Sequence, residues 1–325
     1  MSHLNRRHLL GSAMACALLP TTSFAAETWP ERPIKWIVPF LAGTSPDTTA
    51  RVLAEGVSPI LGQPVIIDNR AGAAGNIGAR IAAKAAPDGY TWVYSSAPMA
   101  ANMRMYKVPG YDAMKDFRHI MRTTSADVAL IVNAASGINS LDELIARAKA
   151  QPGKLDYSSG GVGTPSHMGV ELMLSSAHVR ATHVPYKGAS ELVNAVLGNQ
   201  VAFGMPILSV AYPQIVSGNL KALAIAGSTR NSQLPNVPTF AELGLSGVEL
   251  TSWGGISVPA GTPDAIAMRI QSAFEQALKQ PSVRTGLINA GGQITPLAPE
   301  AYSRGFLDEM ALTEAMMKRA GLSAQ

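Results

Sequence analysis

Two stretches of this 325-residue chain, VPFLAGTSPD at 38–47 and SSGGVGTPSH at 158–167, gather glycine, threonine and serine where a strand gives way to a helix. Neither contains a lysine or arginine. Helix starts carry main-chain N–H groups without intrahelical partners, and about half a positive charge. Glycine lets such groups approach an anion with no Cβ in the way. The hydroxyls of Thr44, Ser45, Ser159 and Thr164 can add donors. A carboxylate held by neutral groups of this kind is bound reversibly. Each glycine also suits a tight turn, and one loop alone does not separate the two roles. A matched pair on separate α/β units favours an anion site.

Other chemistries lack their residues. No GK[ST] is present, so there is no phosphate-binding P-loop. Gly161-Val162-Gly163-Thr164-Pro165-Ser166 approaches a dinucleotide fingerprint, but the following HVRATHVPYKG has no acid to meet a ribose. No cofactor is therefore expected. Asp47, Ser159 and His167 include triad residue types, yet no GxSxG elbow exists. His119, His167, His178 and His183 show no metal-ligand spacing with a carboxylate. His167 falls in a first helical turn, where capping or packing that turn stands beside ligand contact as a role. His178 and His183 flank a strand start and read as surface residues. With no base placed beside a nucleophile, the chain reads as a binding protein and not an enzyme.

The elements that position these loops alternate short β-type runs with longer helical ones, the pattern of parallel α/β layers. Strands are expected at 33–40, 64–70, 91–96, 128–133, 155–159, 182–186, 201–205, 220–226 and 251–258. Asp47 is expected to cap a helix over 48–61. Helices should also begin at Asn76, after the Ser140–Glu143 capping box, and at Pro165. PAGTP (259–263) opens a helical C-terminal portion, whose last helix runs from about Pro299 to Gly321. No Pro/Ser-rich linker separates domains, which suits a chain that crosses between two lobes more than once.

The first residues bear Arg6-Arg7, a short apolar run and Ser23-Phe24-Ala25, a small-x-small cleavage pattern. Residues 1–25 thus read as an export signal, by the general secretory or twin-arginine route, and not as a membrane span. Cys16, the single cysteine, lies inside it without a lipidation context, so the mature chain has no thiol chemistry. Removing Arg6 and Arg7, with no acidic residue alongside, lowers the formal net charge from +4 by two. That near-balance and the absence of a basic stripe argue against nucleic acid. Charged residues at 15% and hydrophobic ones at 47% describe a folded globular protein.

Nine segments in order resemble the Bug family of periplasmic solute receptors, the extracytoplasmic binding proteins of tripartite tricarboxylate transporters. They are WPERPIKWIVPF, AGTSPDTTAR (42–51), DNRAGAAGNIGA (68–79), PDGYTWVYSSAPMAAN (87–102), YDAMKDF (111–117), SLDELIARAKAQPGKLDYSSGGVGTPSH (140–167), HVPYKGASE (183–191), LPNVPTFAELG (234–244) and WGGISVPAGTP (253–263). The resemblance implies a type II periplasmic-binding-protein (Venus flytrap) fold of two α/β lobes around a ligand cleft. It implies a first lobe of 26–127 with 251–325 and a second of 128–250. The implied ligand is a small carboxylate: a di- or tricarboxylate, or an aromatic acid. Matched by position, Gly43, Thr44 and Asp47 would contact it from the first lobe. Ser159, Gly160, Gly163, Thr164 and His167 would do so from the second. Ala97, Asn102, Tyr186 and Lys187 would form cleft walls. The implied partners are the membrane subunits of a tripartite transporter, or alternatively a signalling kinase for which the chain would be the ligand sensor.

Two positions depart from the family pattern. Thr44 stands where a second glycine is common, and a β-branched residue resists positive φ. Ala202 stands where an aspartate is frequent, which weakens the case for an amino-acid ligand and leaves that wall more neutral. Substituting valine at Gly43 or at Gly163 is expected to abolish binding while the fold persists.

Overall fold

The computed structural model describes residues 29–320 and 322–324; the expected export segment 1–25, with Cys16, lies outside the described residues. In chain order come β1 (Ile34–Val38), α1 (Ser45–Leu61), β2 (Val65–Asn69), α2 (Asn76–Ala83), β3 (Thr91–Ser96), α3 (Ala97–Met105), β4 (Phe117–Asp127), β5 (Ala129–Asn133), α4 (Leu141–Ala150), β6 (Asp156–Ser159) and α5 (Pro165–Ser176). There follow β7 (Thr182–Pro185), α6 (Ala189–Leu197), β8 (Phe203–Gly204), α7 (Leu208–Val216), β9 (Leu220–Ile225), β10 (Thr251–Pro259), α8 (Asp264–Ala277), α9 (Pro281–Asn289), β11 (Gln293–Leu297) and α10 (Pro299–Ala320).

These strands form two sheets. A six-stranded sheet has the order β11-β4-β10-β3-β1-β2, and a five-stranded sheet the order β7-β6-β8-β5-β9. Parallel layers hold only in part. β1 runs parallel to β2 and β3, and β6 parallel to β7 and β8. β10 is antiparallel to both β3 and β4, and β5 is antiparallel to β8 and β9. β5 and β10 enter at the crossings between sheets, where the chain arrives from the other sheet and not over a helix; β11, reached over α8 and α9, is antiparallel to β4 as well.

Helices cover the first sheet on both faces, which is why β1 reads as a nearly continuous apolar run. Trp36 is fully buried, edge-on to Trp92 (5.9 Å between ring centroids) and to Phe274 of α8 (5.4 Å). On the other face Tyr302 and Phe306 of α10 pack on Trp253 of β10. Methionines join the two halves: Met105 of α3 and Met316 and Met317 of α10 share one apolar cluster with Met168 and Met173 of α5. Met is unbranched and fills irregular gaps between surfaces that must fit in more than one way.

Several expected elements change. α1 starts at Ser45, with Thr44 as the extended residue before it, so Asp47 sits within the first turn instead of capping it. The expected strand over 201–205 is reduced to Phe203–Gly204. β4, β11, α3 and α7 were not anticipated. Ser140 does cap α4, accepting from the Glu143 N–H at 3.2 Å.

The chain leaves the first sheet at Asp127 and returns to it at Thr251, and these two residues are register partners, so the crossings lie side by side. The buried Asp127 carboxylate ties the region together, accepting from Asn231 Nδ2 and from Gln293 Nε2, both at 2.8 Å. Removing one acceptor leaves the buried Asn231 amide unpaired. Asp127→Ala should therefore destabilise the protein by about 1–3 kcal/mol, and Asp127→Asn, which keeps one oxygen, by less. The shift in urea midpoint at constant m-value measures both.

Candidate functional site

The two glycine loops fold alike, bond for bond. After β1, Gly43 adopts φ +80°, and after β6, Gly163 adopts φ +80°. This is the left-handed region, which a side chain resists and glycine accepts. Each glycine N–H then points forward to the side chain four residues on. Gly43 N–H donates to Asp47 Oδ2 at 2.8 Å, and Gly163 N–H to His167 Nδ1 at 3.3 Å. Each following threonine is extended, at φ −78° for Thr44 and −75° for Thr164. Thr44 Oγ1 donates to the Leu41 carbonyl and Thr164 Oγ1 to the Gly161 carbonyl, both at 2.7 Å. The β-branch at 44 thus meets no positive φ, because the left-handed residue is its glycine neighbour.

Both loops face one cleft of about 650 Å³ between the sheets. Of the expected residues, Gly43, Thr44, Ser45, Gly160, Thr164, Tyr186 and Lys187 line it. The first-turn amides of Ser45 and Ser166, one from each sheet, donate to no other group among the described residues. Both residues line the cleft. The free donors are thus chiefly main-chain ones. The threonine hydroxyls expected as ligand donors are already committed to their own loops.

The other six expected residues lie behind the lining. Asp47, 2% exposed, organises loop one. Its carboxylate takes Arg51 in a fork (Nε to Oδ2 at 3.1 Å, the second nitrogen to Oδ1 at 3.0 Å) and accepts from Asn69 Nδ2 at 2.9 Å. Burial pushes its pKa up, but Arg51, the Gly43 N–H and Asn69 together hold it below 3.8. Ser159 is fully buried, accepting from the Gly161 N–H at 3.1 Å and joined to His183 Nε2 at 2.6 Å. Gly163 and His167 shape loop two from beneath. Ala97 packs into the first sheet's core. Asn102, also fully buried, is a strut and not a wall: its Nδ2 donates to the Ala74 carbonyl (3.0 Å) and to Asn76 Oδ1 (2.7 Å).

That strut supports a lining turn the sequence reading passed over. Gly72, Ala73, Ala74 and Gly75 have φ of +126°, +48°, +53° and +93° in succession. The flanking glycines within DNRAGAAGNIGA were its sequence mark. Ser166 was also missed; its Oγ accepts from the Gly160 N–H at 2.8 Å and meets Thr164 Oγ1 at 2.8 Å. Phe40, Tyr94, Ile207 and Trp253 are among the other lining residues that were missed. Ala202 packs against the second sheet's apolar cluster and is not itself among the residues lining the cleft.

His183 is half-buried, contrary to the surface role expected for it, while His178 is exposed. His183 stacks on His167 (4.2 Å between centroids) and on Tyr157 (4.9 Å). Burial, and then the neighbouring His183, push the His167 pKa down to about 3; burial takes His183 to about 4. His167 is therefore neutral at pH 7. Because Nδ1 accepts from Gly163, its proton sits on Nε2.

The tripartite tricarboxylate transporter family receptor profile matches residues 49–322. Among solved structures, the periplasmic binding protein BugD is 30% identical with a TM-score of 0.84, covering 91% of this chain and 100% of its own. An R. palustris protein with adipate is 30% identical with a TM-score of 0.85, covering 92% and 100%. MatC from Rhodopseudomonas palustris with bound malate is 30% identical with a TM-score of 0.81, covering 89% and 99%.

The histidine pair sets a pH response. Between pH 6.5 and about 4 the unfolded chain takes up protons that His167 and His183 refuse in the fold. Stability therefore falls as pH falls through that window. His167→Gln keeps an acceptor for Gly163 and removes one titration. Its unfolding free energy, followed by denaturant titration at successive pH values, should decline less steeply than that of the unaltered protein.

Proposed function

The chain belongs to the tripartite tricarboxylate transporter receptor family, and on that premise we propose that it captures a small carboxylate between its two sheets. We place it in the periplasm, delivering that acid to the membrane subunits of a tripartite transporter. The single observation that carries the capture reading is the pair of equivalent glycine loops. They stand on opposite sheets, face one cleft, and each brings an unpaired first-turn amide.

In this reading Gly43, Thr44 and Ser45 form one half of a carboxylate cradle. Gly160, Thr164 and Ser166 form the other, and Lys187 adds charge at the rim. Asp47, Ser159, Gly163 and His167 hold the loops without touching the ligand. An open protein exposes two half-sites, each too weak alone. A carboxylate bridging them favours the closed form by the donors it gains from the second lobe. The two lobes are 26–127 with 251–325, and 128–250, turning about the paired crossings at Asp127 and Thr251. The bound adipate and malate of the two R. palustris neighbours support an organic acid as ligand. The family profile supports the transporter as recipient.

Gly43 offers the cleaner test. A Cβ there meets no atom within 4 Å, so only the positive φ opposes a side chain. At Gly163 a Cβ would lie 2.6 Å from Met105 Sδ, so valine at that site also disturbs the packing between sheets. Gly43→Val should keep its unfolding midpoint within a few degrees and weaken binding of carboxylates by about tenfold or more, measured by calorimetry. A variant that binds at full affinity removes the cradle from the mechanism. Delivery is read separately: uptake of the captured acid should vanish when either the receptor or the membrane subunits are deleted.

A further inference from the structure

Besides the crossings, a glycine on one sheet's side meets a side chain from the other at two seams. At the first, a Cβ on Gly163 would lie 2.6 Å from Met105 Sδ and 3.7 Å from Asn102 Oδ1. At the second, Gly291 turns the chain from α9 into β11 with φ +79°. A Cβ there would lie 2.9 Å from Ser209 Cα and 2.5 Å from Ser209 Oγ, both on α7.

Each seam also holds a buried polar atom without a partner. Asn102 Oδ1 and Ser209 Oγ bond to nothing among the described residues. Asn102 spends its Nδ2 on its own side of the cleft, at the Ala74 carbonyl and Asn76 Oδ1. The turn facing Ser209 offers it no free donor: Gly291 N–H donates to the Ile288 carbonyl at 2.8 Å and Gly292 N–H to the Leu287 carbonyl at 2.9 Å. Lobes held apart would let water reach both atoms. Pressed together, the atoms lose that water and gain no bond, a cost that falls on the closed form alone.

The Ser209 seam borders the cleft without lining it. Ile207 and Val210, on either side of Ser209, line the cleft from the second sheet. Ser45 lines it from the first and donates through Oγ to the Ala290 carbonyl, beside Gly291, at 3.4 Å. Closing the cleft therefore closes this seam.

Resting on the reading that the lobes close on a captured acid, we propose that Ser209 is a brake on closure. Its hydroxyl, stranded against Gly291 when the lobes meet, keeps the protein from closing empty, and the acid held by the two loops offsets that loss. Gly291 permits the contact, since the Ser209 backbone cannot swing aside as a flexible side chain would. Ser209 is thus a positioning residue that touches no ligand and sets affinity through the share of closed protein.

Calorimetry with adipate, malate and benzoate on the mature protein tests this. Ser209→Ala keeps the contact and removes the stranded hydroxyl, so it should bind every acid that the unaltered protein binds about fivefold more tightly. Ser209→Leu wedges the seam and should weaken the same acids by about tenfold. Each variant should shift all bound acids by one common factor, because closure is shared and ligand contacts are not. Unchanged or weaker binding by Ser209→Ala overturns the brake while the capture reading stands. So does a shift that differs from acid to acid, or full affinity in Ser209→Leu. Failure of all three acids to bind the unaltered protein overturns the capture reading and the brake with it. An unchanged urea m-value certifies that each variant is folded, and should leucine prevent folding, the alanine variant decides alone.

Discussion

A carboxylate can be held without a buried cation only where main-chain N–H groups stay unpaired, and folding works against leaving them so. The two loops resolve this by closing on themselves. The glycine N–H, turned by positive φ, is absorbed by the side chain four residues ahead. The threonine hydroxyl is absorbed by the carbonyl three residues behind. The donors left open are then the amides at the first helical turn, where the backbone has no partner to offer them. Loop rigidity and donor availability thus come from the same few bonds.

In the proposed reading half of the cradle stands on each sheet, which would make the ligand part of the contact between sheets. The chain passes between them at two adjacent points, fixed by register pairing and by the Asp127 carboxylate. Elsewhere they meet where α3 and α10 approach α5, with methionines prominent in the contact, and where Ser209 of α7 lies against Gly291. Paired strands resist sliding but allow bending, and thioether side chains repack at little cost. The architecture is stiff where the loops must keep their shape and yielding where the sheets meet.

Sequence alone made the loops legible because each writes its geometry in order: strand, glycine, threonine, then an acceptor four residues past the glycine. It misassigned what the side chains do. A hydroxyl in a glycine-rich turn reads as a ligand donor, yet Thr44, Thr164 and Ser159 all turn inward, which depends on three-dimensional closure and not on residue type. β4 escaped notice because its buried residues include His119, Thr123, Thr124 and Ser125, with His119 and Thr123 paired to Ser257 and to the Gly254 carbonyl. Buried polar strand residues erase the apolar alternation that reveals a strand. β11 leaves no such pattern: of its five residues, QITPL, a proline interrupts the run and none is buried. The Ala73-Ala74 turn was hidden for another reason: alanine rarely takes positive φ, and only the flanking glycines hint that this segment does.

The loops differ in one respect that bears on electrostatics. Loop one is closed by a carboxylate and loop two by a neutral imidazole. An unscreened negative charge beneath the proposed anion site would oppose such a ligand, and the fold answers it locally. The Asp47 carboxylate receives the Arg51 fork, the Asn69 amide and the Gly43 N–H, so its charge is met before it reaches the cleft. On the other side no such cluster surrounds His167. Its ring lies against His183, with Ser159 bonded behind. A charged acceptor in that dry stack would need compensation that the second sheet does not supply, and a neutral ring needs none. Two different side chains thus complete the same turn because each suits the charge its own sheet can balance.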